Sequence, residues 1–332
     1  MTHKHYKLAS ATACIVLTVC VTTQTVKADQ AGKGPVKVFI LAGQSNMEGQ
    51  GVVDLDHEKY YNGGKGNLEH VMQDPTKAHL CRHLRGEDGN WVVRDDVWVW
   101  YKTERAGVKK GGLTIGYTSY PGKHHFGPEL QFGHVIGDHL DNQVLLIKTA
   151  WGGRSLYRDF RPPSSGGQVG PYYTRMVEEI REALANIKKH FPDYDGHGYE
   201  IAGFVWFQGW NDMINRAYVA EYEENLANLI KDVRRELRVP NLPMVIGETG
   251  NCNNMPFRTA QAAVAQRAEL KRTVAFVETG GFLRPANESP NMGHGHHWYG
   301  NAESYFLIGN ALGEAMKRLL EAGAGKRFLQ PL

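Results

Sequence analysis

Four short segments of this 332-residue chain carry the residue types that ester chemistry requires. They are Gly43-Gln44-Ser45-Asn46-Met47, Ala150-Trp151-Gly152-Gly153-Arg154-Ser155-Leu156, Trp206-Phe207-Gln208-Gly209-Trp210-Asn211-Asp212 and Gly293-His294-Gly295-His296-His297-Trp298. A serine hydroxyl attacks an ester carbonyl once an imidazole takes its proton. The charge that then collects on the carbonyl oxygen needs preorganised donors, each worth ~3–4 kcal/mol of barrier. Ser45 offers the hydroxyl and its own amide. Gly152 or Gly153 offers an amide that no Cβ keeps at a distance. Asn211 or Gln208 offers a neutral carboxamide, which donates without competing as a base. The last segment supplies the imidazole. The serine turn is not the G-x-S-x-G elbow, because Met47 occupies the final glycine position.

Bringing these segments together is the task of the elements between them. Continuously apolar runs over residues 36–41, 97–101, 143–149, 201–207, 243–247 and 273–277 read as buried strands. Amphipathic stretches over 129–139, 172–191, 217–237, 259–268 and 302–320 read as helices. That alternation indicates a parallel sheet covered on both faces. Right-handed crossovers gather its strand C-termini on one edge, and the first three chemical segments each follow a strand. Residues 52–127 are rich in glycine, histidine and charge, and read as a long insertion over that edge.

The N-terminus reads as a signal peptide over residues 1–28: Lys4 and Lys7, then an apolar and small-residue stretch, then Val26-Lys27-Ala28. Residues 29–332 then form a single domain. Removing the leader takes Lys4, Lys7 and Lys27 and no acid, so the formal charge of +3 falls to about 0 (3 − 3). A neutral protein lacks the cationic footprint that nucleic acid or an anionic membrane requires. Once the leader is gone, no stable membrane insertion is expected, and the protein is expected outside the cytoplasm, periplasmic or extracellular. Cleavage also leaves Cys81 and Cys252, either bridged or as two free thiols.

Taken together, the segments resemble the SGNH-hydrolase superfamily and, within it, the sialate O-acetylesterase-like carbohydrate esterases of the family-six type. The resemblance rests on Gly43-Gln44-Ser45-Asn46-Met47, on Gly152-Gly153-x-Ser155-Leu156 and on Trp206-Phe207-Gln208-Gly209, and spans about residues 36–320. Gly209-x-Asn211-Asp212 also matches the superfamily's G-x-N-D block. The resemblance implies a flavodoxin-like three-layer α/β/α fold, with Ser45 as nucleophile, a second-block glycine in the oxyanion hole and Gln208 or Asn211 completing it. It points to His297 as the base, because this histidine precedes an aromatic residue and the last helix. Two departures stand out. The family's Asp-x-x-His has no Asp here, since His294 stands three residues before His297, and Trp210 replaces a glutamate that often follows Gln-Gly. Glu288 and Glu278 are the nearest upstream carboxylates and the candidates for a triad acid. A Ser–His dyad oriented by a backbone carbonyl is the other arrangement.

The function expected is an exported serine esterase that removes O-acetyl groups from carbohydrate, sialate or plant and algal polysaccharide, through a seryl-ester intermediate. The alternatives are an esterase for non-sugar esters, or a carbohydrate-binding protein that kept the fold. No cofactor is expected. The histidines at 294, 296 and 297, with His124 and His125, lack H-E-x-x-H and a dense carboxylate set, so no metal is expected either. Trp151, Trp206, Trp210 and Trp298 offer aromatic faces of the kind that stack on sugar rings.

Overall fold

The computed structural model describes residues 1, 32–249 and 253–323. The leader reading beyond Met1, and Cys252, lie outside the described residues. Seven strands form the central sheet: β1 (Gly32–Gly43), β2 (Arg94–Thr103), β3 (Gly107–Leu113), β4 (Asn142–Ala150), β5 (Tyr199–Phe207), β6 (Met244–Gly247) and β7 (Val274–Val277). Their spatial order is β3-β2-β4-β1-β5-β6-β7. Every neighbouring pair is parallel except β2–β3.

The apolar run of β1 serves two cores at once. Val38, Ile40 and Ala42 enter one cluster, while Phe39 and Leu41 enter the other. Burial on both faces is why the run does not alternate with polar residues. Helices are labelled α1 (Ser45–Glu48), α2 (Glu129–His139), α3 (Pro171–Ala185), α4 (Trp210–Met213), α5 (Arg216–Glu236), α6 (Met255–Ala263) and α7 (Ala302–Glu321). The side chains of α3, α5 and α6 fill the first cluster, and those of α2 and α7 the second. In α3, Tyr173, Met176, Val177, Ile180 and Ala183 recur at helical spacing and lie buried. The result is a three-layer α/β/α fold.

Three details differ from the sequence reading. Residues 52–127 hold, besides the expected strand β2, the edge strand β3 of the main sheet. The sequence of β3, GVKKGGL, contains three glycines and two lysines, so no apolar run announces it. The helix expected over 172–191 ends at Ala185; Asn186 leaves helical geometry before a short turn over Ile187–His190. The helix expected over 259–268 begins earlier, at Met255, where the Asn254 side chain accepts the Phe257 amide.

Register decides where the chemical segments emerge. Gly43 pairs with Ala150 on one side and with Phe207 on the other, so three segments leave the sheet at one level. Below that edge lies a buried ion pair. Lys148, fully buried on β4, donates to Glu129 Oε2 at 2.7 Å, to the Tyr117 carbonyl at 2.6 Å and to the Glu48 carbonyl at 3.0 Å. Its three protons are therefore all satisfied, and one of them fixes the end of α1. Lys148→Met removes these bonds and strands Glu129 in the core. The expected cost is ~3–5 kcal/mol in urea unfolding, and a loss below 1 kcal/mol would refute this account of the pair.

Candidate active site

The Ser45 turn is made possible by Gly43. A Cβ there would lie 2.2 Å from the Phe207 carbonyl oxygen, so only glycine lets the ends of β1 and β5 approach this closely. The chain then turns into α1, whose first residue is Ser45. No hydrogen bond from the Ser45 amide is present among the described residues, as the first turn of a helix leaves its N–H groups free.

His297 Nε2 lies 2.8 Å from Ser45 Oγ. Residues 252 positions apart are joined through the neighbours of the serine. Asn46 Nδ2 donates to the His296 carbonyl at 3.0 Å, and the Tyr305 hydroxyl donates to Asn46 Oδ1 at 2.7 Å. Trp298, fully buried, packs against Phe207 with ring centroids 5.6 Å apart. To turn His297 outward and Trp298 inward, the backbone adopts left-handed conformations at two successive aromatic residues, Trp298 (φ 47°) and Tyr299 (φ 55°). Such conformations persist only where surrounding contacts enforce them.

In the third segment, Gln208 and Asn211 have different surroundings. Gln208 is 1% exposed, and its Nε2 donates to the Arg154 carbonyl at 2.8 Å and to Asp212 Oδ2 at 2.6 Å. Both its protons are committed to holding the second and third segments together, which leaves neither free to point into the cleft. Asn211 is half-buried. Its Oδ1 accepts from Gln44 Nε2 at 3.1 Å, and its Nδ2 has no partner among the described residues. Gln44 Oε1 also accepts the Gly209 amide at 3.0 Å, so the residue before the serine fixes the third segment twice. Asp212, fully buried, accepts the Leu156 and Tyr157 amides at 2.8 Å each as well as the Gln208 donor. Burial pushes its carboxyl up to about 6 despite these donors.

The two glycines separate as well. A Cβ on Gly152 would come 3.6 Å from Ser45 Cβ, so this residue borders the hydroxyl directly. Gly153 is exposed, and a Cβ there would meet nothing within 4 Å. The sequence reading missed Glu48. Three residues after Ser45, and so on the same side of a helical turn, its carboxyl is hydrogen-bonded by the Gly152 amide and raised above the ordinary carboxylate range, chiefly by burial. The only signal for it was that spacing.

Neither candidate acid reaches the imidazole. Glu278 and Glu288 are exposed, and no carboxylate pairs with His297 among the described residues. At the end of β7 it is Thr279 that turns inward, onto Glu248, leaving Glu278 outside. Glu288 closes a short turn whose backbone carbonyl accepts from Asn301. The residues facing the ring are instead imidazoles, His296 at 4.0 Å and His294 at 6.1 Å between centroids. Burial first, and these neighbours second, bring His297 down to about 3. The ring is therefore held in its neutral form at neutral pH. Cys81 is a buried free thiol, pushed up to about 12 by burial and by Glu303.

Comparison with known proteins places this geometry. Residues 35–318 match the family model described as carbohydrate esterase, sialic acid-specific acetylesterase. A probable carbohydrate esterase of Arabidopsis thaliana is 26% identical over 215 residues, covering 64% of this chain and 68% of the relative. An Arabidopsis thaliana crystal structure superposes with a TM-score of 0.55 at 20% identity, over 85% of this chain and 98% of that one. A structure of a novel carbohydrate acetylesterase from Xanthomonas citri superposes with a TM-score of 0.52 at 13% identity, over 85% of this chain and 56% of that one. The two structures share the fold.

The low His297 value has a direct readout. In an NMR pH titration, with His297→Gln assigning the resonance, the His297 ring is expected to show no protonation step between pH 8 and pH 5. A midpoint near the ordinary 6.5 would show that burial and neighbouring imidazoles do not act on it.

Proposed function

We propose that this chain, which belongs to the sialic acid-specific acetylesterase family of carbohydrate esterases, removes O-acetyl groups from carbohydrate hydroxyls through an acetyl-Ser45 intermediate. One observation carries the reading: a neutral imidazole stands 2.8 Å from a serine hydroxyl at the exit of the central strand. Ser45 Oγ attacks the acetyl carbonyl carbon as its proton passes to His297 Nε2. The oxyanion is held by the Ser45 amide and by Asn211 Nδ2, whose carboxamide Gln44 orients. Gly152, with no side chain, leaves room for the acetyl methyl. The intermediate collapses, and the sugar oxygen leaves with the proton from His297. Water then gives a proton to His297 and attacks acetyl-Ser45; acetate departs, and the proton returns to Ser45 Oγ.

The base works without a carboxylate in this reading. Its orientation comes from the Asn46 bond to the preceding carbonyl and from the buried Trp298 that follows it. A backbone-held dyad supplies positioning but not the added charge stabilisation of an acid.

On p-nitrophenyl acetate, Ser45→Ala and His297→Ala are each expected to lower kcat by at least ~10³-fold. Equal rates for the wild type and Ser45→Ala would favour a binding protein on the same fold. The two amides should divide. Asn211→Ala is expected to cost ~10²–10³-fold in kcat with an unchanged melting temperature, whereas Gln208→Ala lowers the melting temperature. The reverse pattern would move the oxyanion donor to Gln208.

We also infer export, supported by the basic, apolar and small-residue succession over residues 1–28. A secreted product whose mass corresponds to a start at Asp29 is the expected result. A product retaining Lys4 and Lys7 would refute cleavage.

A further inference from the structure

We propose that Trp210 and His296 form the shelf on which the pyranose ring of the acetylated substrate lies while its ester is opened at Ser45. This rests on the carbohydrate-ester reading and extends it to the recognition of the leaving group. Of the four tryptophans at the chemical segments, Trp151, Trp206 and Trp298 are at most 1% exposed and closed to any ligand. Trp210 alone is half-buried: it packs on the core from one side and meets the His296 ring with centroids 5.1 Å apart and planes 34° from each other.

The pair stands where a leaving sugar must be held. Trp210 immediately precedes Asn211, and His296 immediately precedes His297, so the two rings bridge the segment of the oxyanion amide and the segment of the base. Both are tied to the serine turn. Gln44 accepts the amide of Gly209, next to Trp210, and Asn46 holds the carbonyl of His296 itself. The shelf therefore keeps a fixed offset from Ser45 Oγ, the condition for turning stacking into positioning. Ile214, four residues after Trp210, and Met292, four residues before His296, are exposed apolar side chains (67% and 52%). Across the Gly152 side, Glu104 pairs with Arg154 and Arg175, so that wall is charged. An aromatic face fits the C–H face of a sugar ring, while ring hydroxyls are left for the charged wall and water.

The test compares two esters that share the acetyl group and differ in the alcohol: ethyl acetate, and whichever the wild type cleaves faster of acetylated xylo-oligosaccharides and 9-O-acetylated sialosides. The ratio of kcat/KM for the sugar ester to that for ethyl acetate is expected to fall about 10-fold in Trp210→Ala, an effect of the size aromatic contacts produce. Trp210→Phe should recover part of it. An unchanged ratio, with both esters slowed alike, would make the indole a prop for Asn211 and overturn the shelf. Selective loss on ethyl octanoate would assign the shelf to the acyl chain and overturn it too. A second measurement does not need turnover. Ser45→Ala titrated with the same sugar ester should show a saturable change in tryptophan fluorescence that Ser45→Ala/Trp210→Phe lacks. Failure of Ser45→Ala to bind, or an unaltered signal in the double variant, overturns the shelf. Binding through Trp210 in a protein that hydrolyses no sugar ester would keep the shelf and end the esterase reading instead.

Discussion

Everything at the cleft depends on three parallel strands ending level with one another. Because Gly43 pairs with both Ala150 and Phe207, the chain leaves the sheet three times within one hydrogen-bonding width, and only glycine at 43 tolerates the Phe207 carbonyl at that distance. A shift of one residue in either ladder would send the emerging side chains to the opposite face. The geometry of the cleft is thus inherited from sheet register, and the helices below, packed against both faces, make that register costly to change.

The five-residue serine motif acts as a hub with a different task for each side chain. Gln44 grips the third segment through Gly209 and Asn211, and Ser45 meets the imidazole. Asn46 clamps the histidine loop and is itself held by Tyr305, while Met47 is fully buried and anchors the turn. Two carboxamides on either side of Ser45 thereby connect it to elements more than 160 residues away in the chain. The second and third segments are joined by another set of contacts, with Asp212 receiving two backbone amides and Gln208 spanning to the Arg154 carbonyl.

Much of this was readable before any coordinates. The apolar runs of β1, β4 and β5 are long, and doubly buried strands leave an unmistakable composition, so the parallel core followed from pattern, while the choice of His297 as the partner of Ser45 came from the family resemblance. The edge strand β3 did not follow, because half-exposed strands rich in glycine and lysine lack that composition. The roles of Gln208 and Asn211 could not be separated by residue type: both are amides, and only their partners show which one has a proton to spare. Glu278 and Glu288 illustrate the same limit. Proximity in sequence to the histidine loop says nothing about which way a carboxylate faces, and here both face solvent. Glu48 was hidden by its proximity to the serine, in a motif whose other residues drew the attention.

Two consecutive left-handed aromatic residues follow His297, each held in a conformation that costs an L-residue roughly 1–2 kcal/mol. The loop is accordingly a loaded spring, kept compressed by the indole of Trp298 lodged in the core. Glycine at position 299 would relieve that strain and at the same time slacken the loop that sets His297 beside Ser45. At this one bend, the ease of the backbone and the placement of the imidazole hang on the same two residues.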